Sequence, residues 1–244
     1  MRRGWAILFA MLALFESAAA QTARIKPKVP PGIDPGGTAI GLITTGIDYT
    51  LPVVSRCLAR DGEGELIGWD VVDRDRLPYA MRALGDLDDS VLASAVNCDG
   101  RVKLVVTRVD PADAASLARA IAFFASASVQ VIVLPVRSQP ADWAPLRLAA
   151  ERFNQLLITV AASEASLASD INTLPNVLIA PKLTAAGSFE ESMMALARAT
   201  HFTACAQITK VPATDLASIK TRFSAHLPLL LQLPIGHMLA PQCR

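Results

Sequence analysis

Histidine is scarce in this chain: His201, His226 and His237 are the only three among 244 residues. None has a partner at the spacing of a metal-binding pair, so no metal centre is expected. No cofactor motif is present either, and none is expected to be bound. Charge of one sign is also lacking, since 23 basic residues stand against 22 acidic ones. That balance argues against a nucleic-acid partner, whose phosphates would call for a basic surface. Apolar runs are short. The run Trp5 to Phe15 falls well below the roughly 20 residues that a spanning helix needs.

That same run follows Arg2 and Arg3 and leads into Ala18-Ala19-Ala20 before Gln21. The order is that of a secretory signal, so residues 1–20 are expected to be removed and the mature chain exported, to the periplasm or beyond, with no membrane span. Their removal takes two arginines and one glutamate, leaving equal numbers of each sign. In an exported chain the four cysteines, Cys57, Cys98, Cys205 and Cys243, permit two disulfides. Of the three connectivities, Cys57 with Cys98 and Cys205 with Cys243 closes each half locally; buried free thiols are the alternative.

Residues 21–37 hold Pro27, Pro30, Pro31 and Pro35 with Gly32, Gly36 and Gly37. Such a stretch cannot be a helix or a central strand and reads as an extended arm. Beyond it, apolar runs predict strands at Ala39–Ile43, Val102–Thr107, Val129–Leu134, Leu156–Ala161 and Val177–Ala180. Amphipathic stretches predict helices at Ser90–Val96, Ala112–Ala127, Ala141–Phe153, Phe189–Ala206 and Thr214–Ala225. Strands apolar throughout and separated by helices mean an α/β domain, residues 38–226, whose parallel sheet is covered on both faces. The last stretch, 227–244, is an apolar tail broken by Pro228, Pro234 and Pro241. It is expected to lie along the domain's own surface or to dock on another protein.

The first of these strands runs into Thr44-Thr45-Gly46-Ile47-Asp48-Tyr49-Thr50-Leu51-Pro52. This resembles the first active-site motif of the subtilisin-like serine proteases, where a strand ends in Asp-Thr-Gly and His-Pro follows. The likeness continues through Gly68-Trp69-Asp70-Val71-Val72-Asp73-Arg74-Asp75 with Pro78-Tyr79, and through Asp88-Asp89-Ser90-Val91-Leu92-Ala93-Ser94, at the family's His-Gly-Thr motif. It also takes in Leu157 to Glu164 at the strand carrying the oxyanion Asn, and Ala186-Gly187-Ser188-Phe189 at the Gly-Thr-Ser-Phe motif. The resemblance implies a three-layer subtilisin-like fold, a mostly parallel central sheet flanked by helices. It places Thr44 at the triad Asp, Asp88 at the triad His, Ser188 at the nucleophile and Glu164 at the oxyanion Asn. A second register makes Ser192 the nucleophile but loses the Ser-Phe match.

What the resemblance implies for chemistry is loss. A serine protease needs a base of pKa near 7, a carboxylate to balance it and donors for the oxyanion. Thr44 has no charge, an ordinary Asp pKa of about 3.9 makes Asp88 a poor base for a hydroxyl, and Glu164 would repel the oxyanion. Ser188, three residues before Glu191, also reads as an ordinary helix cap, and Asp88 and Asp89 as helix-start carboxylates. His201 is thirteen residues beyond Ser188, about 20 Å along a helix and out of its reach. Asp70, Asp73 and Asp75 lack a complete oxygen-ligand loop for calcium and are expected to be solvated turn residues. The reading is a pseudoprotease, binding a protein or peptide partner or serving structurally. The alternative is a residual serine hydrolase using Ser188.

Overall fold

The computed structural model describes residues 25–80, 102–110, 112–129, 131–136, 143–162, 171 and 173–180. Within them lies a six-stranded sheet. Its strands are β1 (Thr38–Thr44), β2 (Gly68–Asp70), β3 (Val102–Arg108), β4 (Val131–Val136), β5 (Leu157–Ala162) and β6 (Val177–Ala180). They lie in the order β2-β3-β1-β4-β5-β6, and every pairing is parallel.

Both faces of this sheet are buried, which is why its strands read as apolar runs rather than as alternating ones. Along β1, Ile40, Leu42 and Ile43 are all out of contact with water; so are Ile132 and Val133 of β4 and Leu157, Ile158 and Val160 of β5. Two helices cover one face. The helix after β3, Ala114–Ser126, turns Leu117, Ala120, Ile121 and Phe124 inward, a helical stripe of three- and four-residue steps. Asp113 caps it by accepting from Ala115 N at 2.9 Å. The helix after β4, Ala144–Arg152, buries Leu146, Ala149 and Ala150. With the one-turn helix Pro52–Ser55, these are α1 (52–55), α2 (114–126) and α3 (144–152). α2 and α3 pack against each other.

Phe124 packs closely on the sheet. Its ring lies over Gly41 of β1, where a Cβ would stand 3.0 Å from two ring carbons. A side chain at 41 would require the Phe124 ring to give way by a few tenths of an ångström.

The predicted strands fall within a residue of those observed, except β4, which starts two residues late and runs two longer. Val129 N bonds back to Phe124 O at 3.4 Å, and Ser128 has φ 55°, so the end of α2 holds Val129 in its turn. Pro135 is tolerated inside a central strand because β1 pairs only with 131–133, leaving no β1 partner for the missing N–H. α2 and α3 begin at Ala114 and Ala144, later than predicted, with Asp113 capping the first and a proline in the first turn of the second. β2 was not predicted, being too short to show a pattern. The expected helices at 90–96, 189–206 and 214–225 lie outside the described residues.

Candidate functional site

In open parallel α/β sheets, sites form beyond the carboxyl ends of the strands. Here β1, β3 and β2 end side by side, with Thr44 opposite Arg108 and Asp70 opposite Arg108. Thr44 is buried, and its Oγ1 bonds both to Gly46 O, at 3.3 Å, and to Gly46 N, at 3.4 Å. Its main chain is held too, since Val109 N donates to Thr44 O at 2.8 Å.

Gly46 itself has φ +130°, and a Cβ there would stand 2.5 Å from Ala80 Cβ and 2.9 Å from Ala80 N. Only glycine suits the position, for backbone and space alike. The chain can then run beside 78–80: Ile47 N donates to Pro78 O and Ala80 N to Ile47 O, both at 3.0 Å. Leu51, at the position of the family's motif histidine, immediately precedes α1 and makes no side-chain cap bond.

The strongest electrostatic feature beside Thr44 is a cluster of five charges. Asp70 of β2 is wholly buried. Its Oδ2 takes Lys26 Nζ at 2.6 Å and Arg108 Nη1 at 2.8 Å, while its Oδ1 accepts from the amides of Val72 and Asp73, each at 2.9 Å. Asp73 also reaches Arg108, at 2.7 Å, and Lys26, at 3.1 Å. Asp75 accepts from Lys26 at 2.9 Å. Arg108 Nε then donates to Thr45 O at 3.1 Å, tying the cluster to the end of β1.

The expectation that Asp70, Asp73 and Asp75 are solvated turn residues is therefore corrected. Asp73 and Asp75 are partly exposed, but Asp70 is the buried centre of an ion-pair network. Both cations were missed. Lys26 lies in the proline-rich arm, far away in sequence, and no local pattern points from it to Asp70. Arg108 did carry a signal, a cation closing an otherwise apolar strand, which needs a counter-ion if it stays near the core.

Three members of the cluster have displaced pKa values; burial would lower the Arg108 guanidinium, but Asp70 and Asp73 outweigh it and raise it. Burial would raise the Asp73 carboxyl, but hydrogen bonds from Lys26 and Arg108 outweigh it and hold the group below its usual value. Burial would likewise lower the Lys26 ammonium, but Asp70, Asp75 and Asp73 outweigh it and raise it. Asp73 thus stabilises the fold above the ordinary carboxylate pKa of about 3.9, and the contribution disappears as pH falls through its depressed folded value. Lys26 contributes fully below its ordinary pKa of about 10.4 and loses its effect as pH rises through the raised one. Thermal unfolding of the wild type and Asp73→Asn should differ at neutral pH and converge in acid. A gap that persists under full protonation would assign the difference to something other than charge.

Of the residues placed by resemblance, Thr44 stands at the sheet edge. Asp88, Glu164 and Ser188 lie outside the described residues, as do Ser192, Cys98, Cys205, Cys243 and all three histidines. Cys57 is fully buried, and no cysteine among the described residues is free. Among those residues, no His, Cys, Asp and Glu side chains gather as a set of metal ligands. No helix among them is long and apolar enough to cross a membrane.

A cold-adapted subtilisin-like serine proteinase superposes on this chain with a TM-score of 0.55, over 81% of this chain and 86% of its own, at 14% identity. The fold is subtilisin-like. A lanthipeptide protease matches over 53% of this chain and 40% of its own, at 17% identity and a TM-score of 0.39. MycP1 with its N-terminal propeptide removed matches over 56% and 49%, at 19% identity and a TM-score of 0.38. No family model and no curated protein sequence matches the chain.

Proposed function

We propose that this is an exported protein of subtilisin-like fold that does not hydrolyse peptides and acts by binding a protein or peptide partner, or structurally. The observation that carries the reading is Thr44 at the carboxyl end of β1. Its hydroxyl is neutral, buried and engaged with Gly46. A histidine base there would have no carboxylate at this position to orient it or balance its charge. The buried carboxylate at this edge, Asp70, does not fill the role, because its oxygens are taken by Lys26, Arg108 and two amides.

The remaining parts of the reading rest on the sequence resemblance. Asp88, Glu164 and Ser188 would gather at the same edge. A Glu164 carboxylate about 4 Å from an oxyanion would oppose it by about 4 kcal/mol at an effective dielectric of 20. Export after loss of residues 1–20 and pairing of Cys57 with Cys98 and Cys205 with Cys243 belong to the same proposal. So does the division into the arm 21–37, the domain 38–226 and the tail 227–244.

A serine-directed fluorophosphonate tests the proposal. Mature protein should remain unlabelled and should release nothing from peptide substrates. Labelling that Ser188→Ala abolishes would make this a working serine hydrolase and overturn the reading.

A further inference from the structure

Residues 25–37 form no helix or strand, yet they are fastened to the domain along their length. Tyr49 Oη donates to Pro27 O at 2.8 Å, and burial first, then Tyr79, Asp75 and Asp48, push its pKa up to about 12, so it keeps its proton. Arg60 Nη2 donates to Pro30 O at 3.0 Å, and a Cβ on Gly32 would stand 2.9 Å from that guanidinium. Asp34 accepts from Arg60 N at 2.8 Å and from Lys103 Nζ at 3.1 Å.

We propose that this segment is a strap, and that the Lys26 ammonium is the fastening that holds the rim of the candidate site closed. The ammonium is enclosed by Asp70 Oδ2 at 2.6 Å, Asp73 Oδ2 at 3.1 Å, both oxygens of Asp75 at 2.9 Å and Leu77 O at 2.8 Å. An ammonium has three protons to donate, so five oxygens around it form a saturated cage. Every one of them comes from β2 or the turn that follows.

The end of β2 and that turn together hold three carboxylates within six residues, with Arg74 at φ 60°. Carboxylates crowded so closely repel one another unless a cation lies between them. Arg108 serves Asp70 and Asp73; Lys26 serves all three. From the cage two routes reach the end of β1. One passes from Asp70 through Arg108 to Thr45 O, next to Thr44. The other passes from Leu77 to Pro78, whose carbonyl accepts from Ile47 N. Lys26 is thus a positioning residue for the loop after β1, whether or not the domain hydrolyses anything.

Lys26→Ala removes the stem beyond Cβ, and n-propylammonium replaces what was removed. In amide hydrogen exchange, the rim amides of Ile47, Asp70, Val72, Asp73, Leu77 and Ala80 should exchange about tenfold faster or more in Lys26→Ala, as loss of a charged hydrogen bond entails. The amides of β4 and β5 should be unchanged. Added n-propylammonium chloride should slow the rim again, and sodium chloride at equal ionic strength should not. Rim exchange equal to wild type, an equal loss in β4 and β5, or equal rescue by sodium would each overturn the strap. Should Lys26→Ala fail to fold, native-state exchange of the wild type in low denaturant decides. The strap requires the rim amides to open together well before β4 and β5, and opening only along with those strands overturns it.

Discussion

Asp70→Asn is expected to cost about 3 kcal/mol and to lower the unfolding temperature by roughly 6–12 °C. The substitution keeps the shape and the acceptor for Val72 N and Asp73 N but removes the charge. Lys26 and Arg108 are then left with side chains 8% and 15% exposed and no fully buried counter-ion. Removing one partner of a buried ion cluster is strongly destabilising because the other charges stay out of water unbalanced. The cost falls at the lower end of the usual range because Asp73 and Asp75 still reach Lys26. Thermal and denaturant unfolding measure it. A change below about 1 kcal/mol for Asp70→Asn would mean that the cluster behaves like an exposed ion pair.

The second large effect lies on the opposite side of the fold's logic, in the apolar contact between α2 and β1. Phe124→Ala should cost about 3–5 kcal/mol. The ring is fully buried, its neighbour Phe123 meets it edge-on at 5.8 Å, and beneath it is Gly41, which has no side chain to move into the space. The cavity would therefore stay open. Gly41→Ala in the wild type should also destabilise, by about 1–3 kcal/mol, through overpacking. Combined with Phe124→Ala, the same methyl group enters the vacated space and should lose most of its cost. The double-mutant cycle should therefore show strong coupling. Additive losses would mean that the ring and the glycine do not share the contact.

The sheet was legible in the sequence because both of its faces are buried, so each of five strands shows as an apolar run at its own place. β6 was predicted at its observed bounds, and β1, β3 and β5 to within a residue. The strand that escaped, β2, is held by three residues, and its assignment depends on pairing with β3 rather than on any periodicity of Gly68-Trp69-Asp70. Thr44 was legible for a different reason: it ends the first strand inside a motif whose neighbours still match. Lys26 was not legible. Its partners are forty-four and more residues away, and a lysine in a proline-rich stretch looks like any solvated charge until the fold brings Asp70 to it. Side chains that work at long sequence separation leave no local trace.

Among the described residues, the short strand β2 stands at one edge of the sheet, and the turn after it folds back so that Asp70 N donates to Asp75 O at 2.7 Å. Val71 N, the next donor, points the other way, to Arg108 O. An edge normally offers a row of unpaired N–H and C=O groups on which another molecule can add a strand. Here the donor at Asp70 is taken by the chain itself, and the turn that takes it carries Asp73, Arg74 and Asp75. Sheet-to-sheet stacking of two copies along β2 would have to break that bond and bury those charges. A strand added at Asp70 would meet that bond and those charges rather than a free donor.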